Sequence, residues 1–376
     1  MDSDFAAAMT RATQATRAND LAEATRIIRE ALGMPGAPVP SPAPVPSPAP
    51  ASAPALASYP VQTPVIGPMP RIGERLRRPL REAVRMLREG KLALRGRMPA
   101  ADMPKPKPVP EGARFEARHF AGEAGARDYK LYIPSAGSPQ GLVLMLHGCK
   151  QDPDDFAAGT GMNEAAEAEG LLVAYPRQAA AHNLASCWNW FRPGDQQRDQ
   201  GEPAILADLT RALVAEFAID PERVFVAGLS AGGAMAAVLA ETYPDLYAAT
   251  GIHSGVPTGA ANDVVSAFAV MRGEPGLAGG APTAAGRMIV FQGEADQVVH
   301  PANAERLVAG RAGALTASQG RSAGGRVYRR RAGSETEIWM IEGAGHAWSG
   351  GKPEGSYSDP SGPDASAEML RFFLRR

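Results

Sequence analysis

The sequence has little cysteine, no long apolar run and almost no net charge, and each of these absences excludes a class of protein. Only Cys149 and Cys187 are available among 376 residues, which excludes a disulfide-rich scaffold and a cysteine-ligated zinc or iron–sulfur centre. No stretch reaches the roughly 18–20 consecutive apolar residues of a membrane-spanning helix. A formal net charge of −1 gives no overall attraction to nucleic acid. We therefore expect neither a transmembrane segment nor a nucleic-acid partner.

The first twenty residues also lack the apolar core of a secretory signal. This favours a cytoplasmic protein. The alternative is an extracellular protein whose export signal is hidden by a trimmed or misassigned start.

Proline divides the chain into segments of different character. Residues 35–70 are so rich in proline and alanine that they predict an extended linker without a core. Residues 1–34 before it have helical periodicity, and residues 71–97 after it predict a basic amphipathic helix. Residues 98–113 form a second, short spacer. The remaining residues, 114–376, are predicted to form the main domain.

The basic segment 71–97 has two interpretations. Ten arginine and lysine side chains alternate there with an apolar stripe that includes Leu76, Leu80 and Leu87. Such a helix could associate weakly with a polymer granule or another anionic surface. We favour instead a solvated helix that packs its stripe on the main domain, which is the more common case.

From about residue 114, short apolar runs alternate with helical patterns. Two strands open the series, followed by runs such as those around Leu144, Val226 and Val290. This βα alternation predicts a mostly parallel sheet with helices on both faces. Ligands bind at the carboxyl ends of the strands in such sheets, so residues that directly follow a strand are the candidates for a site.

The segment from Gly228 to Gly232 reads G-x-S-x-G and lies between a predicted strand and a predicted helix. This context is the one that a nucleophile elbow requires, because the sharp turn leaves no room for side chains beside the serine. A serine hydroxyl is a poor nucleophile and needs a base that is oriented by an acid. The motif therefore predicts Ser230 as the nucleophile of an acyl-transfer enzyme.

Two later loops supply the partners. His346, one of six histidines, follows the last predicted strand in a glycine-rich loop, and Asp296 follows the strand before it. The order Ser, Asp, His is the one expected for this type of sheet enzyme. Glu294 in the same turn could replace Asp296 as the acid. The backbone amides of Cys149 and Ala231 are predicted to bind the oxyanion, because each follows a strand end beside the elbow.

Several residues near these loops are candidates for substrate contact. Trp188, Trp190 and Phe191 predict a partly exposed aromatic wall for an acyl or aryl group, although core packing would explain one or two of them. The other candidates are His147, His253 and Trp348, although His147 is more easily explained as a residue that organises its loop. Cys149 and Cys187 could form a disulfide over the site or remain two thiols in a reducing cytosol.

The motifs together resemble the polyhydroxybutyrate (PHB) depolymerase family of esterases, which has the α/β-hydrolase fold. The resemblance rests on six segments and covers about residues 115–370: HGCKQ at 147–151, CWNWF at 187–191, GLSAGGAMA at 228–236, SGVP at 254–257, the loop of Asp296 and the loop of His346. It implies hydrolysis of short-chain hydroxyalkanoate esters or polyester oligomers, with no metal or organic cofactor. Secreted members of the family often carry a signal peptide, which this sequence does not show.

Two alternatives accompany this interpretation. The family is similar to feruloyl and acetylxylan esterases, so the ester could belong to a plant polysaccharide. A function of another class, as an interaction protein on a polymer granule or membrane surface, would depend on residues 1–97.

Overall fold

The structure is a computed structural model that describes residues 109–276, 286–311 and 313–375. The segments predicted at 1–34, 35–70 and 71–97 lie outside the described residues, as does most of the predicted spacer at 98–113. Among the helices in the described ranges, none combines the length and the apolar character needed to cross a membrane.

The domain is built on one ten-stranded sheet. Its strands, in chain order, are β1 (Arg114–Gly122), β2 (Gly125–Ile133), β3 (Leu142–Leu146), β4 (Leu172–Pro176), β5 (Val224–Leu229), β6 (Ala249–His253), β7 (Arg287–Gly293), β8 (Thr316–Arg321), β9 (Val327–Ala332) and β10 (Thr336–Ile341). Their spatial order is β1-β2-β4-β3-β5-β6-β7-β10-β9-β8. The six strands from β4 to β10 in this order are parallel, and the two strands at each edge are antiparallel to their neighbours.

Helices cover both faces of the sheet. They are α1 (Pro153–Thr160), α2 (Met162–Glu169), α3 (Gly201–Phe217), α4 (Ala231–Thr242), α5 (Val264–Met271), α6 (Ala302–Val308) and α7 (Ala365–Phe373). Strand β3 shows why two layers are needed: Leu142, Leu144 and Leu146 pack with α3 and α4, whereas Val143 and Met145 pack with α1, α2 and α7. A strand that is apolar on both sides must bury both faces. The predicted fold class is confirmed.

Two features of the fold were not predicted. The hairpin of β8 and β9 extends one edge of the sheet, and its arginine-rich sequence gives little apolar signal because much of it is exposed. A small parallel pair, β11 (Trp348–Ser349) and β12 (Ser358–Asp359), follows the predicted histidine loop. This pair gives a defined position to the chain that follows the glycine-rich loop of His346.

Candidate active site

Ser230 lies at a sharp turn between β5 and α4, with φ of 58° and ψ of −119°. A non-glycine residue at positive φ is strained by about 1–3 kcal/mol, and such strain is concentrated at functional sites. The turn requires glycine nearby: a Cβ on Gly232 would overlap the carbonyl oxygen of Leu146, and one on Gly228 would overlap the carbonyl group of Gly232. The Ser230 side chain is partly exposed and does not cap α4, so its hydroxyl is free to meet a ligand.

His346 and Asp296 form a hydrogen-bonded pair, with 2.8 Å between His346 Nδ1 and Asp296 Oδ2. The carboxylate is buried and accepts three further hydrogen bonds, from the amides of Val298 and Val299 to Oδ1 and from Gln292 Nε2 to Oδ2. Burial by itself would raise the pKa of Asp296, but the bonds from His346 and the two amides outweigh it and hold the pKa below its ordinary value. Asp296 is therefore an anion at neutral pH.

Glu294, the alternative acid, is directed elsewhere. Its carboxylate pairs with Arg329 on β9, at the antiparallel edge of the sheet. Within the described ranges, no group of three or more histidine, cysteine, aspartate or glutamate side chains is arranged to hold a metal ion.

The serine and the histidine–aspartate pair lie at the same end of the sheet, where the parallel strands have their carboxyl ends. Ser230 follows β5, Asp296 follows β7 and His346 follows β10, and β6 lies between β5 and β7. No hydrogen bond between the Ser230 hydroxyl and the His346 ring is formed within the described part of the chain. Hydrogen bonds of this kind often tighten only when substrate binds.

The loop after β3 passes directly beside the elbow. A Cβ placed on Gly148 would lie 3.6 Å from the Cβ of Ser230. The loop is held by a hydrogen bond of 3.0 Å from the Gly148 amide to Gln151 Oε1 and by the buried ring of His147. That ring takes up both of its nitrogens, Nδ1 with the Gly148 carbonyl and Nε2 with the Gln178 amide. The Ala231 amide is the first of α4 and has no intrahelical acceptor.

Cys149 and Cys187 are joined by a disulfide, with 4.3 Å between their Cα atoms. The bond connects the loop after β3 to the loop after β4. A backbone hydrogen bond of 3.0 Å from Lys150 to the carbonyl of Ala185 joins the same two loops. The loop that carries the Cys149 amide is thus held to the loop after β4 by a covalent bond and a hydrogen bond.

The predicted aromatic wall is largely wrong. Trp188 and Trp348 are 0% and 1% exposed, and both use their indole N–H groups inside the protein, Trp188 on the His147 carbonyl and Trp348 on Ser366 Oγ. Trp190 is also buried in the core, and only Phe191, whose ring contacts that of Trp190 edge-on, is partly exposed. Large aromatic residues between two loops fill the space under them because burial of their area is so favourable.

His147 and His253 are not on an exposed wall either. Each is 1% exposed, so neither side chain can line an open pocket. The buried ring of His147 agrees with its alternative interpretation as a residue that organises its loop, and His253, the last residue of β6, turns inward.

Two residues near the site were missed by sequence reasoning. Gln292 on β7 is fully buried and donates to Asp296 Oδ2 at 3.1 Å. Tyr357 is 42% exposed and presents its ring edge-on to the His346 ring, with 6.4 Å between centroids. The position of Gln292 four residues before Asp296, at the end of the same strand, was the one available signal.

The buried histidines predict a dependence of stability on pH. Burial, and secondly the charge of His346, lower the pKa of His253 to about 3, and burial also lowers the pKa of His147. Both rings are neutral in the folded protein, whereas they take up a proton in the unfolded chain below about pH 6.5. The stabilising contribution of each neutral ring is therefore present above that pH and lost as the pH falls, for His253 down to about pH 3.

For His253 we expect the free energy of unfolding to decrease by up to about 1.4 kcal/mol per pH unit between about pH 6.5 and pH 3. Urea unfolding of the wild type and of His253→Gln at pH 7, 6, 5 and 4 checks this, because the variant should show a shallower decrease. Parallel curves for the two proteins would contradict the assignment of a neutral, buried His253.

Comparison with known proteins places the chain in a family. Residues 127–331, more than half of the chain, match the family described as esterase PHB depolymerase. The chain is 33% identical over 215 residues to poly(3-hydroxyalkanoate) depolymerase C of Paucimonas lemoignei, which covers 52% of this chain and 50% of that protein. It is 26% identical over 235 residues to a probable acetylxylan esterase A of Aspergillus fumigatus, covering 56% and 61% of the two chains. It thus spans about half of the length of the first relative and somewhat more of the second.

The fold also agrees with a solved structure. An acetyl xylan esterase from Aspergillus awamori superposes with a TM-score of 0.57 at 18% identity, over 70% of this chain and 100% of that one. This similarity concerns the fold, since the identity is low. The family match, the shared fold and the elbow within the matched residues lead to one assignment: the chain belongs to the PHB-depolymerase family of esterases, within the α/β-hydrolase fold.

Proposed function

We propose that the protein hydrolyses carboxylic esters through Ser230, His346 and Asp296. Ser230 Oγ forms a bond to the acyl carbon while His346 Nε2 takes its proton, and Asp296 stabilises the resulting imidazolium. The amides of Cys149 and Ala231 bind the oxyanion. The C–O bond to the alcohol breaks as His346 returns the proton to the leaving oxygen. A water molecule, deprotonated by His346, then releases the acid and restores Ser230.

The observation that carries this proposal is the pair of His346 and Asp296. A buried anion that accepts the Nδ1 proton leaves Nε2 as the free, basic nitrogen, which is the state a general base needs. Labelling with a fluorophosphonate tests it: a single adduct is expected on the peptide that contains Ser230. Labelling elsewhere, or none at all in a folded and otherwise inactive protein, would refute the proposal.

For the substrate we propose short-chain hydroxyalkanoate esters and polyester oligomers. Large apolar side chains are exposed near the carboxyl ends of the strands: Leu184, Val264, Val265, Phe268, Val298 and Tyr357. Helix α5, which carries three of them, contacts the loop after β7 through a hydrogen bond from the His300 amide to the Met271 carbonyl. An apolar polyester can cover such a surface, whereas a polysaccharide offers mainly hydroxyl groups.

This surface gives a prediction. The double substitution Val265→Ser and Phe268→Ser should lower the rate on hydroxybutyrate oligomers or solid polymer by about tenfold, since each of these exposed side chains would lose an apolar contact with the substrate worth about 0.5–1 kcal/mol. The rate on p-nitrophenyl butyrate should not change. Val109→Ser is the control, because Val109 is also an exposed valine but precedes β1, near the amino ends of the parallel strands. An equal loss on both substrates would contradict the prediction.

An acetylxylan esterase is the second candidate, supported by the relative from Aspergillus fumigatus and by the shared fold. A panel of p-nitrophenyl acetate, p-nitrophenyl butyrate, hydroxybutyrate trimer and acetylated xylan separates the two. Release of acetate from xylan at a higher kcat/KM than cleavage of the trimer would favour this candidate.

The disulfide bears on the compartment. Bonds of this kind persist in oxidising surroundings and are rare in the cytosol, so the pair Cys149–Cys187 supports an extracellular or periplasmic location over the cytoplasmic one.

The interaction-protein hypothesis concerns residues outside the described ranges and remains a hypothesis.

A further inference from the structure

His253 contacts both halves of the site, although the hydrolytic steps do not use it. It is the last residue of β6, and its carbonyl oxygen accepts a hydrogen bond of 2.9 Å from the Ser230 amide. Its ring extends the other way, and Nε2 accepts a hydrogen bond of 3.0 Å from the amide of Ser349, three residues beyond His346. One residue therefore connects the elbow to the histidine loop.

The ring is held in one orientation. It stacks between Phe291 and Trp348, with ring centroids 6.0 Å and 5.3 Å away and interplanar angles of 13° and 27°. Its Nδ1 lies 3.1 Å from Ser254 Oγ. Since Nε2 accepts from an amide, it carries no proton, and the single ring proton is on Nδ1. Burial keeps the ring neutral, so it adds no positive charge next to His346.

The Ser349 amide depends on His253 Nε2 as its hydrogen-bond acceptor. Ser349 is 1% exposed, and its own hydroxyl is used on the Pro363 carbonyl at 2.7 Å. Without the imidazole nitrogen, the Ser349 amide would be a buried donor with no acceptor, which a loop relieves by moving. Such a movement would carry His346 with it.

We propose that His253 is a positioning residue, whose ring nitrogen sets the distance of His346 from Ser230 by holding the Ser349 amide. This inference rests on the proposed hydrolase function. The competing explanation is that the ring merely fills space between Phe291 and Trp348.

Two substitutions separate these explanations. His253→Phe keeps a flat ring for stacking but removes the acceptor, and His253→Gln removes the stacking ring but keeps an acceptor oxygen near the place of Nε2. If the acceptor matters, His253→Phe should lower kcat by about 10- to 100-fold, because a displacement of about 1 Å can have that effect. KM should stay within about twofold, and His253→Gln should regain most of kcat. Thermal unfolding of each variant shows that the folded protein is being compared.

The outcomes are distinct. An active His253→Phe, or a His253→Gln that is as impaired as His253→Phe, would overturn the inference while leaving the hydrolase in place. A wild type without esterase activity would refute the proposed function instead. If His253→Phe does not fold, ¹⁵N NMR of the wild-type imidazole decides the question. A bare Nε2 and a protonated Nδ1 from pH 5 to 8 are expected, and a proton on Nε2 would overturn the inference.

Discussion

Ser230→Ala is expected to lower kcat for ester hydrolysis by about 10⁴- to 10⁶-fold, because the proposed acyl intermediate forms on the hydroxyl that this substitution removes. The side chain makes no cap to α4, so its removal should leave the unfolding transition unchanged. Hydrolysis of p-nitrophenyl butyrate, together with thermal unfolding, measures both effects.

Ser318→Ala provides the control for this substitution, since Ser318 is exposed on β8 at the far edge of the sheet. It should hydrolyse the ester at the wild-type rate. Retention of more than about one per cent of kcat by Ser230→Ala would mean that another residue is the nucleophile, since a lost nucleophile costs several orders of magnitude.

Asp296→Asn should be nearly as damaging, with a loss of about 10⁴-fold in kcat. The amides of Val298 and Val299 donate to Oδ1, so the amide oxygen of an asparagine would occupy that position and its NH₂ group would face His346. An NH₂ group donates, which forces Nδ1 of His346 to accept and places the ring proton on Nε2. A protonated Nε2 cannot take the proton of Ser230.

Glu294→Gln is the matched control for this prediction. Glu294 is the other carboxylate of the same turn and pairs with Arg329, so its variant should keep kcat within about twofold, as expected for a surface substitution. Measurement of kcat for both variants settles which carboxylate is the acid. Loss of activity in Glu294→Gln with an active Asp296→Asn would reverse the assignment.

Much of the fold could be predicted because the central strands carry their own signal. Leu142 to Leu146 is a continuous apolar run of five residues, and a run of this length followed by a glycine-containing loop is typical of a strand that is covered on both faces. The strands β8 and β9 give no such signal. Their arginines are stabilised by pairs that come from other elements, such as Arg330 with Glu337 on β10, and a sequence does not display those pairs.

The three residues of the candidate triad could be predicted from their positions after strands, whereas the aromatic side chains around them could not. Ser230, Asp296 and His346 each follow a strand, and parallel strands bring their carboxyl ends to one edge. The aromatic wall failed because an exposed tryptophan and a buried one look alike in sequence. Trp188 is buried in the apolar core, and its indole N–H donates to the carbonyl of His147, 41 positions away.

The elbow could be predicted from the local sequence, because a Cβ on Gly228 would overlap the carbonyl group of Gly232 within the same short turn. Which carboxylate meets His346, and which histidines are buried, depends on how distant parts of the chain pack together. Those choices depend on pairs such as His346 with Asp296, 50 positions apart, and Ser349 with His253, 96 positions apart. Contacts over such separations depend on which strands become neighbours in the sheet and so bring their loops together. The sequence near each residue does not specify that order.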